Sequence, residues 1–127
     1  MGELNALNRA VWFDIPVVDL NRANIFYAEV LGCHVEVINI AGTEFSVLEH
    51  DKGNGGCLVV RPDEVTSEKG LLLYLNVDGR LRDAVTKVTA HGGSIVQDVH
   101  DIGPHGFRAV IIDSEGNRLV LHSESDA

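Results

Sequence analysis

The chain has 127 residues, 45% hydrophobic and 23% charged, which is enough for one well-buried core and too few for two ordinary domains. Ten Lys and Arg against 19 Asp and Glu leave a formal net charge of −9, which repels phosphate backbones and argues against nucleic acid as a partner. No apolar run approaches the roughly 20 residues that span a bilayer, so a membrane partner is not expected either.

Residues 1–9 read as a loosely packed polar lead-in without the apolar core of a signal peptide. The two cysteines, Cys33 and Cys57, form neither a CxxC pair nor a framework of four or six. They are expected to be free thiols in a reducing cytoplasm.

Residues 11–17 alternate and are β-rich, so they predict a strand. Asp19 stands where a helix N-cap belongs. Leu20, Ala23, Phe26, Tyr27, Val30 and Leu31 then recur at helical spacing until Gly32 stops the helix. Strand-like runs follow at 34–40, 43–49 and 57–61, the last after a Gly-rich loop over 51–56. Residues 62–70 are linker-like, with Asp63, Glu64, Glu68 and Lys69 in a short stretch.

The order then begins again. A strand over 70–77 leads into a helix with an apolar stripe of Leu81, Ala84, Val85 and Val88, ending at His91-Gly92-Gly93. Strands are expected at 94–99, 107–112 and 118–123, the last two joined as a hairpin by Asp113-Ser114-Glu115-Gly116-Asn117. Aligning Trp12 with Leu72 and Gly32 with Gly92 superimposes two βαβββ units, a two-copy duplication and not a solenoid. The expected fold is α+β, one domain of two tandem βαβββ modules, about 10–61 and about 70–123. Their mixed sheet would curve like a cup, with the helices outside.

The run from Val11 through Asp19-Leu20-Asn21-Arg22-Ala23 and Phe26-Tyr27 to Leu31-Gly32 resembles the opening of the vicinal oxygen chelate superfamily, the glyoxalase/bleomycin resistance/extradiol dioxygenase group. The closing run from Phe107 to Ser123, with Asp113-Ser114-Glu115-Gly116-Asn117 at its turn, is similar to that superfamily's last hairpin. The resemblance implies two modules curling over a shared cleft. In metal-using members the cleft holds a divalent ion on one side chain from the first and last strand of each module. Those positions fall here on Trp12, Leu72, Val120 and Leu58. None of these side chains ligates a hard or borderline cation, so the resemblance is to metal-ligand-poor members. No metal ligand and no cofactor are expected; a divalent ion held elsewhere is the alternative. The six histidines offer no HxH or HxxxH pair on a regular element.

By alternation, the cleft would be lined by Trp12, Asp14, Leu72, Tyr74, Val120 and His122, the ligand-binding candidates, with Asn76 beside Tyr74. Asp14, Tyr74 and His122 are the candidate catalytic groups, for acid–base work. Each also has a plainer reading. Trp12 can plug the cleft, Asp14 can be a rim carboxylate, Tyr74 can pack its ring, and His122 can be solvated. Arg61 and Arg108 can recognise an acidic ligand bidentately or be solvated strand ends. Cys57 has no sequence-local base and reads as a structural thiol.

Three functions are compatible with these residues. The first is a cytoplasmic protein that binds a small organic molecule between the modules without the family metal. The second is a lyase, isomerase or dioxygenase-type enzyme of the same superfamily. The third is a ligand-free structural or interaction module whose cleft is filled by Trp12 against Leu72. A homodimer is expected, since two-fold dimers are the commonest assemblies.

Overall fold

The computed structural model describes residues 9–127; most of the polar lead-in, residues 1–8, lies outside the described residues. In the first module, β1 (Asp14–Val17) is followed by α1 (Leu20–Leu31), β2 (Val35–Ile40), β3 (Thr43–Leu48) and β4 (Cys57–Val60). In the second, β5 (Leu73–Asn76) is followed by α2 (Leu81–Ala90), β6 (Ser94–Asp101), β7 (Phe107–Ile112) and β8 (Arg118–Ser123). The strands form two four-stranded sheets, ordered β1-β4-β3-β2 and β5-β8-β7-β6. In each, the module's first strand runs parallel to its last, and the other pairings are antiparallel. The duplication is therefore real in topology. Its product is two sheets, each with its first strand at the edge.

Local chemistry accounts for the helices. The Asp19 carboxylate accepts the Arg22 N–H at 3.0 Å, and Gly32 closes α1 at φ 64°, a left-handed conformation that costs glycine little. Ala23, Phe26, Tyr27 and Val30 form the buried stripe of α1, and Leu81, Ala84 and Val88 that of α2. Each large side chain so buried is worth about 1.5–3 kcal/mol. Both stripes and the helix-facing residues of both sheets belong to one continuous core. Gly93 permits that continuity. A Cβ there would lie 2.5 Å from the Ile112 carbonyl oxygen and 2.9 Å from the Phe26 ring.

Two strands are shorter than alternation predicts. β1 starts at Asp14 and not at residue 11, because its one neighbour among the described residues, β4, begins at Cys57, the partner of Asp14. Phe13 instead lays its ring over Gly56, where any Cβ would approach it to 2.3 Å. Trp12 thus precedes the ladder. β5 starts at Leu73, paired with Leu119 near the beginning of β8, and Leu71 is left 96% exposed.

The β7–β8 turn, expected as a hairpin, is buried against the first module. The Tyr27 hydroxyl donates to Asp113, which also accepts the backbone N–H groups of Glu115 and Asn117, each at 2.8 Å. Asn117 donates its amide to the Pro16 carbonyl at 2.7 Å. Glu115 accepts the backbone N–H groups of Val18 and Asp19 at 2.9 and 2.7 Å and is clasped by the Arg22 guanidinium. This polar lock clamps the two modules at one end, and Arg80 adds a second tie to the Val30 carbonyl at 2.6 Å. Among the described residues, no helix is long and apolar enough to cross a membrane.

Candidate functional site

Period-two alternation divides each sheet into a helix-facing and an open face. In the second module Leu75, Leu119, Leu121, Ala109 and Ile111 face the core. Their alternates form cross-strand rows on the open face. One row is Tyr74–Val120–Val110–Gln97, and the next is Asn76–His122–Arg108–His100. The second row is wholly polar. In the first module Ile15 pairs with Leu58, both in the core, while Asp14–Cys57–Val47–Glu36 forms an open-face row.

This register corrects the fourth position expected for a metal ligand. Leu58 is fully buried on the helix side. Tyr74 is the duplicate of Asp14, and its β8 partner is Val120; the β4 partner of Asp14 is Cys57. The last-strand position of the first module is therefore Cys57, one residue earlier. Its thiol donates to Asp14 Oδ1 at 3.0 Å. Burial, reinforced by that carboxylate, pushes the thiol's pKa up.

The corrected set of Trp12, Cys57, Leu72 and Val120 contains one side chain able to ligate a metal. An indole N–H only donates, and leucine and valine offer carbon alone. The donor set does not fit the family's ion. Among the described residues no three His, Cys, Asp or Glu side chains are grouped so as to hold a metal.

The candidate residues divide between two sides of a seam. Trp12 is half-exposed, its ring edge-on to His50 with centroids 5.6 Å apart. Asp14 is exposed on the same side. Leu72 lines a cavity of about 400 Å³ between β1 and β5, with Phe13, Asp14, Pro16, Leu73 and Arg118. The linker residues Glu64, Thr66 and Lys69 complete its wall. A second cavity, about 230 Å³, lies further along β5 between Tyr74 and Asn76 on one side and Phe13, Glu49 and Gly56 on the other. A third, about 340 Å³, is bounded by Tyr74, Asn76, Ile102, His105 and His122. β5 thus runs beside a groove with Tyr74 near its middle. The open cavity at Leu72 removes the premise of a cleft filled by Trp12.

Tyr74, Val120 and His122 do come together. The Tyr74 and His122 rings lie 6.5 Å apart, and Val120, the cross-strand partner of Tyr74, is fully buried. His122 Nε2 meets the His105 carbonyl oxygen at 2.7 Å, so it donates there.

Arg108, one of the two arginines considered for an acidic ligand, and His100 belong to the same face. Arg108 donates from Nε to His100 Nε2 at 3.1 Å and from Nη1 to the Tyr74 hydroxyl, with its guanidinium carbon 5.9 Å from the Tyr74 ring centre. His100 Nδ1 in turn meets the Asp98 carbonyl oxygen at 2.8 Å. Counting back from the 113–117 turn puts Arg108 opposite His122, and that signal was present in the sequence.

The comparisons with known proteins agree with this architecture. The family model described as the Glyoxalase/Bleomycin resistance protein/Dioxygenase superfamily matches residues 9–121. The chain belongs to that superfamily. A glyoxylase-like domain-containing protein of Didymella fabae is 30% identical over 110 residues, covering 82% of this chain and 84% of that protein. A glyoxalase/bleomycin resistance protein from Albidiferax ferrireducens T118 has a similar structure, with a TM-score of 0.73 at 15% identity, covering 91% of this chain and 98% of that one. The fosfomycin resistance protein FosX of Listeria monocytogenes gives a TM-score of 0.67 at 13% identity, covering 91% and 93%. At such identities the structural likeness speaks for the fold alone.

Proposed function

We propose that this superfamily member binds a small organic molecule in the seam between its modules and does so without a metal ion. The observation that carries the reading is the cavity of about 400 Å³ between β1 and β5. Its walls are largely apolar, from Phe13, Pro16, Leu72 and Leu73, with a few polar groups such as Asp14 and Arg118. That size and composition suit small-molecule sites, which commonly span roughly 300–1,000 Å³. The side chains at three of the four metal positions, Trp12, Leu72 and Val120, offer no lone pair to an ion, which supports the metal-free part of the reading.

A lyase, isomerase or dioxygenase reading has less support. It needs proton-transfer groups converging on the bound molecule, whereas Asp14 holds the Cys57 thiol and His122 Nε2 holds the His105 carbonyl. Thermal-shift screening of chelator-treated protein against small organic molecules tests the proposal. A true ligand at about one hundred times its Kd stabilises by about 2.7 kcal/mol, with or without chelator. No stabilisation by any compound, or stabilisation that appears only when a divalent metal is restored, would overturn it.

A further inference from the structure

The proposed seam ligand has a recognisable chemistry, and this inference rests on that proposed reading. We infer that the ligand is a small organic acid whose carboxylate, or an equivalent oxyanion, seats on Arg108 and Tyr74 at the open face of the second sheet.

Among the described residues Arg22, Arg61, Arg80 and Arg82 each have a carboxylate partner. Arg108 has neutral ones, an imidazole nitrogen and a phenol oxygen. The chain bears a net charge of −9, so acidic groups were plentiful, yet this half-buried guanidinium is positioned without one. Of its five N–H groups two are used, which leaves one on Nη1 and both on Nη2. That is enough for a two-pronged bond to a carboxylate.

The neighbours extend the pattern. The Asp98 carbonyl accepts a hydrogen bond from His100 Nδ1–H, which leaves Nε2 as the acceptor for Arg108 and fixes the orientation of the guanidinium. Tyr74 accepts from Arg108 and so keeps its own O–H free to donate to an oxyanion beside it. Tyr74 also lines the 340 Å³ cavity with Leu75 and Ile102, which offer apolar wall for the organic part of such an acid. A second cation stands in the same groove: Arg118 lines the 400 Å³ cavity, and its buried Nε has no hydrogen-bond partner among the described residues. An anion entering against the field of an acidic protein needs local positive charge of this kind.

The test compares benzoate and 3-phenylpropionate with benzamide and 3-phenylpropionamide, titrated into chelator-treated protein and followed by two-dimensional NMR. The acids should bind at least tenfold more tightly than their amides, move the signals of Tyr74, Arg108 and His122, and weaken as salt is raised. Arg108→Gln should weaken the acids at least tenfold and leave the amides unchanged; Tyr74→Phe should weaken them several-fold while keeping the fold. Equal binding of acids and amides in the seam, insensitive to Arg108→Gln, would overturn the anion inference and leave the small-molecule reading standing. Absence of binding by all four probes would overturn it too, with a broader fragment screen then judging the parent reading separately.

Discussion

Replacing Glu115 with glutamine perturbs the lock between the modules with little change in shape. Burial alone would raise the carboxyl pKa. Hydrogen bonds from Arg22, the Asp19 and Val18 backbone and the Ser114 hydroxyl outweigh that, holding it down from 4.5 to about 2. At about 1.36 kcal/mol per pH unit, the full drop is worth roughly 3 kcal/mol. The Arg22 side chain is 50% exposed, and solvent screening of that partner reduces the expected contribution to about 2 kcal/mol. A pKa lower in the folded than in the unfolded state stabilises above about pH 4.5, and the gain is lost as pH falls toward 2. Glu115→Gln should therefore cost about 2 kcal/mol at pH 7, or roughly 6–10 °C in Tm for a domain of this size. Its penalty should fall to roughly half by about pH 3 and to near zero at about pH 2 and below. Urea denaturation of both proteins across pH 2–7 measures this directly. A loss under about 0.5 kcal/mol at pH 7, or a penalty that does not change with pH, would refute the reasoning.

Three further outcomes are expected. Tyr27→Phe removes the buried hydroxyl that donates to Asp113 and should cost about 1.5–3 kcal/mol in chemical denaturation, because the lost bond is to a charged group; a change under 0.5 kcal/mol would remove Tyr27 from the lock. Leu72→Trp fills the cavity beside β5 and should abolish ligand-induced thermal shifts while leaving the circular dichroism spectrum unaltered; retained binding would place the ligand elsewhere. Cys57 should react slowly with a maleimide at pH 7.5, because burial and the Asp14 carboxylate both raise its thiol pKa. Asp14→Asn should speed the reaction several-fold, and an unchanged rate would mean that the thiol–carboxylate contact has no influence on reactivity.

Both helices, the Asp19 cap, the Gly32 stop and the duplicated module order were legible in the sequence, because apolar stripes, caps and turn residues act locally. What was not legible depended on strand register. Alternation extended back from Asp14 made Trp12 a strand residue, although the ladder lacks a partner before Asp14. Leu58 and Cys57 illustrate the same point, since a shift of one residue moves a side chain to the opposite face. His100 looks like an isolated strand residue until β6 is paired with β7 across two register shifts, which sets it in one row with Arg108, His122 and Asn76. The 113–117 segment has the composition of a surface turn. Its burial follows from tertiary partners, Tyr27, Arg22 and Pro16, that lie far away in sequence.

The seam between the modules is proposed to be a small-molecule site that functions without the superfamily's metal. A crystallographic fragment screen on chelator-treated protein tests it most directly. Fragments should bind against Phe13, Pro16, Leu72 and Leu73 with no metal ion beside them. Fragments found only outside the seam, or in the seam only after a divalent ion is restored, would contradict it.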